Sequence, residues 1–213
     1  MGEAREAWAA LEEPWRICLE LAWEAFGAGT VPVGAVVADG AGRVVARGRN
    51  RIFEAHGPPD ELANTRLAHA ELNALRRLSP ARHYRDHVLY SALEPCHMCL
   101  GAVPMSRVGR LRYAGADPYG GAVGRQDPTF DTELNPVEIE GPRADAFGRL
   151  ATALLPAAFL RLKAEGSVVA IFRERHPDHL ARAEALLERG AAETAASGAP
   201  LAEALGAFFD VLG

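Results

Sequence analysis

Two short stretches, His69-Ala70-Glu71 and Pro95-Cys96-His97-Met98-Cys99, decide how the fold and chemistry of this 213-residue chain are interpreted. One imidazole and two thiols are the ligand set of a zinc ion that keeps one coordination position open. A catalytic zinc holds a water molecule in that position and lowers its pKa from about 15.7 to roughly 7. Glu71 lies two residues after the histidine, close enough to move protons to and from such a water. The predicted metal ligands are His69, Cys96 and Cys99, and the predicted catalytic residue is Glu71.

The spacing within each stretch places it at the start of a helix. Residues 69 and 71 lie on nearly opposite sides of a helix, so both face one site only if that site lies beyond the N-terminal end. Thr65 is the expected N-cap, which would put both residues in the opening turns. Pro95 suits the first position of a second helix, in which the two cysteines, three residues apart, share one face. Two helix N-termini would therefore converge on the metal, where their partial positive charge stabilises thiolates.

The rest of the chain alternates between helical and strand patterns. Helices are predicted at residues 14–28 and 143–163, and strands at residues 31–38, 43–48, 87–92, 109–115 and 137–140. Strands that alternate with helices favour a sheet covered on both faces. The predicted fold class is therefore α/β, a three-layer α/β/α sandwich with a central five-stranded mixed sheet. Beyond it, a β-branched run at 167–172 could add an edge strand, and two short helices are predicted at 178–189 and 199–212.

The composition is that of an ordinary globular protein. Hydrophobic residues make up 49% of the chain and charged residues 24%, and no apolar run reaches the roughly 18 residues of a membrane span. The N-terminus lacks the pattern of a signal peptide, and three cysteines suit a metal site better than a disulfide framework, so a cytoplasmic protein without a membrane partner is expected. A net charge of −5 gives no overall attraction for phosphate backbones, which weighs against a nucleic-acid substrate.

Several further segments occur in the order known from one enzyme family, at residues 31–37, 48–51, 93–96, 106–107 and 116–117. With the H-x-E and P-C-x-x-C signatures, they resemble the cytidine/deoxycytidylate deaminase superfamily, and within it the branch of tRNA adenosine deaminases and guanine deaminases. The resemblance covers residues 14–163 and implies the cytidine deaminase-like fold, Zn²⁺ as cofactor and a homodimer. It suggests a deaminase domain at 1–166 and a mainly helical C-terminal extension of open role at 167–213.

The resemblance also implies roles for single residues. Glu71 would act as general acid and base, and Asn50 and Asp117 would contact the substrate, although both residue types are also common in turns. The backbone N–H of Ala70 would face a ring carbonyl or the transition-state oxygen, an inference from the helix end alone. A closed structural zinc site is the alternative. It needs a fourth ligand, and His97, which lies between the cysteines, is predicted to point away from their shared face.

The predicted function is hydrolytic removal of an amino group from a nucleobase or nucleoside, with a purine-type ring favoured. The first alternative is deamination of adenosine to inosine in the tRNA anticodon loop, which requires a flipped base and a basic groove. A cytosine-type substrate is the next alternative. A non-enzymatic alternative is a zinc-stabilised binding module that uses its C-terminal helices as an interaction surface. The loops at 51–66 and 117–135 are predicted to shape the pocket, and the first departs from the family pattern, so the substrate stays open.

Overall fold

The computed structural model describes residues 2–125 and 136–213. The strands are β1 (Gly34–Ala38), β2 (Val44–Arg49), β3 (Tyr84–Leu93), β4 (Val108–Gly115) and β5 (Glu138–Glu140). The longer helices are α1 (Gly2–Ala10), α2 (Glu13–Gly27), α4 (His97–Met105), α5 (Ala146–Lys163), α6 (Ser167–Arg175) and α7 (Pro177–Glu188). The short helices are α3 (Ala70–Leu75), α8 (Ala191–Ala196) and α9 (Leu201–Ala204), followed by 3₁₀ turns at Leu205–Ala207 and Phe209–Leu212.

The five strands form one mixed sheet in the order β2-β1-β3-β4-β5. β1 pairs antiparallel with β2 and with β3, whereas β3, β4 and β5 run parallel. Every residue of β1 is buried, as expected for a strand whose two faces are both covered by helices. The five predicted strands are all present, with ends that differ from the predicted ones by three residues or fewer.

The sheet separates two apolar cores, because alternate residues of each strand point to opposite faces. Towards α2 and α5 point Val36, Ala38, Val88, Tyr90 and Ala114. Towards α3 and α4 point Ala35, Val37, Leu89, Leu93 and Leu111. α3 lies very close to β2: a Cβ on Gly48 would come within 2.6 Å of the backbone nitrogen of Ala74, so this position requires glycine. The three-layer α/β/α sandwich is therefore confirmed.

The predicted edge strand at 167–172 is wrong, because these residues form the first turns of α6. Val168, Val169 and Phe172 all belong to the core on the α3 side, packed with Leu155 and Leu180. Positions i, i+1 and i+4 share one side of a helix, so tertiary packing overrides the β preference of the two valines. A short β-branched run does not distinguish a strand from one turn of buried helix.

Of the remaining C-terminal helices, α7 packs on α5, whereas α8 and α9 pack on α2. The indole nitrogen of Trp23 donates to Ala199 O at 2.9 Å, and its ring lies 5.7 Å from that of Phe208. The carboxylate of Glu20 accepts from the backbone nitrogens of Leu201 and Ala202 and so caps α9. Residues 167–213 thus share both cores with the rest of the described chain, while a functional boundary at residue 166 stays a prediction. Among the described residues, no helix combines the length and apolarity needed to cross a membrane.

Candidate active site

His69 and Cys96 are the N-cap residues of α3 and α4, and this fixes where their side chains point. Both have the extended backbone that N-caps adopt, with φ and ψ of −77° and 149° at His69 and −71° and 171° at Cys96. The N-cap residue precedes the first helical turn, so its side chain extends past the N-terminal end of the helix. The imidazole and the thiolate are therefore held off the ends of two converging helices, as the spacing predicted.

The predicted starts of these two helices are wrong by a few residues. Thr65 does not cap α3; its hydroxyl accepts a weak hydrogen bond from Leu67 N at 3.4 Å, within the preceding turn. Pro95 precedes the N-cap of α4 instead of occupying its first position. For α3 the reason lies in the preceding loop, where the side chain of the buried Asn73 holds the backbone of Leu62, a contact that local sequence does not reveal.

The three predicted ligands lie together. His69 Nδ1 is 3.4 Å from Cys99 Sγ and 3.7 Å from Cys96 Sγ, and all three ligand atoms lie within 4.8 Å of one another. A tetrahedral zinc with bonds of about 2.0 Å to nitrogen and 2.3 Å to sulfur separates such atoms by about 3.5 Å. The donor set and its spacing therefore fit zinc. His97 is exposed and is not part of this cluster.

The charge state of the thiols also suits a cation. The hydrogen bond with Cys99 is the largest influence on Cys96 and, aided by His69, lowers the pKa of its thiol to about 3. The same hydrogen bond, together with burial, raises the pKa of Cys99. The pair thus carries one thiolate readily, and the second thiol loses its proton only beside a cation. A bound zinc would stabilise both thiolates.

Glu71 lies in the first turn of α3, with only 3% of its surface exposed. Its Oε1 is 3.3 Å from the hydroxyl of Ser91, a residue of β3. Burial raises the pKa of the Glu71 carboxyl, and the nearby His69 opposes that effect without cancelling it. A buried carboxyl with a raised pKa beside three candidate metal ligands is suited to exchanging protons with a reacting group.

A cavity of about 550 Å³ borders the cluster. It brings together five of the predicted site residues, namely His69, Glu71, Cys96, Asn50 and Asp117. Cys99 is fully buried behind them, and Ala70 is buried at the first position of α3 without lining the cavity. The substrate roles predicted for Asn50, Ala70 and Asp117 stay predictions.

Glu94 holds one rim of the cavity and was not predicted as a site residue. Its carboxylate accepts from the backbone nitrogens of Asp117, at 3.2 Å, and Val123, at 2.9 Å. Asp117 in turn accepts from the backbone nitrogens of Tyr119 and Gly120, both at 2.9 Å. Burial, with a contribution from Glu94, raises the pKa of Asp117. Within the predicted pocket loop, residues 117–125 are ordered by these contacts, while 126–135 lie outside the described residues.

The wall contributed by the C-terminal half is apolar. Leu155 and Phe159 of α5 and Val168 of α6 all line the cavity. None was predicted as a site residue, because no local motif marks them. For Val168 the available sequence signal is a β-branched run, which favours a strand.

Comparison with known proteins places this site in a family. A family model described as the cytidine and deoxycytidylate deaminase zinc-binding region matches residues 10–114. A tRNA-specific adenosine deaminase of Haemophilus influenzae is 38% identical over 123 residues, 56% of this chain and 66% of that protein. The chain therefore spans slightly less than two thirds of this relative. A tRNA-specific adenosine deaminase of Rickettsia bellii is 36% identical over 111 residues, 51% of this chain and 72% of that protein.

A solved structure of a guanine deaminase from Nitrosomonas europaea shares the fold at a TM-score of 0.53 and 23% identity, covering 70% of this chain and 84% of that one. The matched family region contains all three clustered ligands and ends before Asp117, α5 and α6. From the family model and the extent of the match to the Rickettsia protein, the chain belongs to the cytidine and deoxycytidylate deaminase family, which is defined by its zinc-binding region.

Proposed function

We propose that this chain is a zinc-dependent hydrolase that replaces the exocyclic amino group of a purine-type base with oxygen and releases ammonia. One observation carries the proposal: a buried carboxyl, Glu71, lies beside a three-ligand cluster that opens onto a cavity of about 550 Å³. Two ligands at helix N-termini and one buried thiol leave room for a fourth, exchangeable ligand on the cavity side. The volume is in the range of small-molecule sites.

The ligands would be His69, Cys96 and Cys99, and zinc bound there supplies a Lewis acid that makes water nucleophilic near neutral pH. Glu71 takes a proton from the attacking water as the new C–O bond forms and places it on the adjacent ring nitrogen. Glu71 then carries the second proton of that water to the amino group, and the C–N bond breaks with loss of ammonia. One carboxyl serves both steps because its raised pKa lets it hold and release a proton.

The elements around Glu71 support this cycle. The N-termini of α3 and α4 contribute partial positive charge where the thiolates and the attacking oxygen carry negative charge. The Ala70 N–H, at the first position of α3, is assigned to a ring carbonyl or to the transition-state oxygen. Asn50 and Asp117 are assigned to the edge of the base. These polar groups fix the orientation of the ring, and the apolar wall of α5 and α6 covers its face.

A second candidate substrate is an adenosine within tRNA. The named relatives at 36–38% identity, which are tRNA-specific adenosine deaminases, favour it. The described cavity lining favours a small molecule, because it holds the carboxylates Glu71, Glu94 and Asp117 and a single guanidinium, that of Arg66. A polyanion requires basic surface near the site. A homodimer, implied by the resemblance, belongs to the proposal in either case.

Ammonia release by the zinc-loaded protein tests the proposal. The panel consists of guanine, adenine, their nucleosides, cytosine, cytidine and a folded tRNA, each at low and high salt. We expect release from a free purine or its nucleoside with little salt dependence. Release only from tRNA, falling steeply as salt rises, would favour the second candidate. No release from any of these would instead favour a zinc-stabilised binding module.

Glu71→Gln keeps the shape of the side chain and removes its ability to exchange protons. We expect the variant to keep its zinc and to lose about 10²–10⁴-fold in ammonia release. Glu193→Gln, at an exposed position of α8, is the matched control and should behave as the wild type. Full turnover by Glu71→Gln would contradict the assigned mechanism.

A further inference from the structure

Thr30 and Asn50 form a buried polar pair in which Asn50 lines the cavity and Thr30 lies behind it. The proposed reaction gives Thr30 no role. Asn50 directly follows β2, and its backbone nitrogen donates to Val33 O at 2.9 Å. Its side chain lines the cavity. Thr30 follows the turn that ends α2 and is fully buried, with its hydroxyl aimed at the Asn50 amide.

The hydrogen bonds around this pair have a fixed direction. Asn50 Oδ1 accepts from the Thr30 hydroxyl at 2.9 Å and from the backbone nitrogen of Ile52 at 3.1 Å. A backbone N–H only donates, so the amide atom that faces it must be oxygen. The backbone nitrogen of Phe53 approaches Thr30 Oγ1 at 3.4 Å, which leaves the hydroxyl proton for Asn50. Two donors therefore hold the carbonyl end of the amide away from the substrate.

The amide nitrogen of Asn50, Nδ2, is available to donate to a molecule in the cavity. Among the described residues, none accepts a hydrogen bond from Asn50 Nδ2. This atom is also not sealed inside the protein, because the enclosed side-chain nitrogens that lack a hydrogen bond in the described chain are Arg112 Nε and His179 Nδ1. Asn50 thus offers a hydrogen-bond donor, and not an acceptor, to whatever occupies the cavity.

The geometry points to Thr30 as a positioning residue that fixes Asn50 in its donor orientation. The site then selects bases that carry an acceptor, a ring nitrogen, at this wall. An analogue with a C–H at that position would leave the fixed N–H unpaired and would be discriminated against. This inference rests on the proposed deamination of a purine-type base and specifies what that base must present.

The test compares Thr30→Val, which removes the hydroxyl at nearly constant shape, with Thr30→Ser, which keeps it. The probes are the purine that releases ammonia in the panel above, adenine or guanine, and its 3-deaza and 7-deaza analogues. With the parent purine, we expect Thr30→Val to raise KM about tenfold and to change kcat less than about twofold. A hydrogen bond made equally in the ground state and the transition state contributes to binding and not to kcat. Thr30→Ser should stay within about threefold of the wild type.

The analogues identify the acceptor. One of the two is expected to be a poor substrate of the wild type and to lose less than about twofold further in Thr30→Val, because the hydrogen bond is already absent. Thr194→Val is the matched control, since Thr194 lies on α8, away from the cavity, and its hydroxyl donates to Gly190 O. The inference is overturned if Thr30→Val and Thr30→Ser raise KM equally, or if Thr30→Val has the wild-type KM for the parent purine.

Asn50→Asp keeps the oxygen end of the side chain and replaces the donor, so it provides a second test if Thr30→Val does not fold. We expect kcat/KM for the parent purine to fall at least about tenfold in this variant, and the same deaza substitution to cause no further loss. Unchanged discrimination between the parent and both analogues in Asn50→Asp would also overturn the inference.

Failure of the proposed function has a different signature: no member of the panel would then be deaminated, and the zinc content would be normal. If only cytosine or tRNA is deaminated, the Thr30→Val and Thr30→Ser comparison is made with that substrate.

Discussion

The two sides of the cavity are built in different ways. The metal side comes from residues 69–99, in which two helix starts bring an imidazole and two thiols within 4.8 Å of one another. The apolar side comes from α5 and α6, more than fifty residues later in the chain, and consists of Leu155, Phe159 and Val168. The first side is specified by local spacing and has the chemistry of the family. The second is specified by packing and lies outside the matched family region. The difference suggests that one side determines the reaction and the other determines its substrate.

The largest expected effect is on the metal side. Cys99→Ala removes the fully buried ligand, so we expect loss of bound zinc and of all measurable ammonia release, with zinc determined on purified, reduced protein. Cys18→Ala is the matched control, because Cys18 is equally buried but lies outside the cluster. Zinc at one equivalent in Cys99→Ala would refute the assigned ligand set.

The next effect is on the loop that leads into the metal side. Asn73 is fully buried at the base of α3; its amide donates to Arg49 O and Leu62 O, both at 3.1 Å, and accepts from Leu62 N at 2.7 Å. Asn73→Ala leaves these loop groups without partners, so we expect the free energy of unfolding to fall by about 2–3 kcal/mol in urea titration. A fall below about 0.5 kcal/mol would show that the loop before α3 is held by other contacts.

The apolar side is tested by Phe159→Ala. Removing a partly buried aromatic ring from the wall should raise KM about tenfold while the zinc content stays at the wild-type level. Phe209→Ala, at a partly buried position away from this cavity, is the control and should leave KM unchanged. A lower zinc content in Phe159→Ala would mean that the two sides are not independent.

The smallest effect concerns the start of α5, which carries the apolar wall. Asp145 caps α5 by accepting from the backbone nitrogens of Phe147 and Gly148, both at 3.1 Å. Asp145→Ala should lower the free energy of unfolding by about 1 kcal/mol in thermal or urea denaturation. Burial alone would raise the pKa of Asp145, but the Arg143 guanidinium and the two N–H groups outweigh it and lower that pKa. The stabilisation is therefore present above the unfolded pKa of about 3.9 and is lost as pH falls through the lower folded value.

The contrast between features specified by local spacing and features specified by packing explains how much of the molecule the sequence could predict. The strands and the clustering of His69, Cys96 and Cys99 were predictable because they follow from periodicity and from spacings of two and three residues. The N-cap at His69 was not, because the loop before it is ordered by Asn73 and by ion pairs of Arg51 with Glu54 and Glu61, which come together only in the fold. Nor was Val168, since its place in the cavity depends on the packing of α6 against α5 and α7.

The short connection between α5 and α6, residues 164–166, has a consequence for how such a protein diversifies. Because α6 lies against the cavity and is joined to α5 by three residues, lengthening or shortening this link would turn a different face of α6 inward. The metal ligands and Glu71 would stay where they are, since they are anchored on other helices. A new molecule could thus be accommodated by a change in one connector, with the hydrolytic apparatus inherited intact.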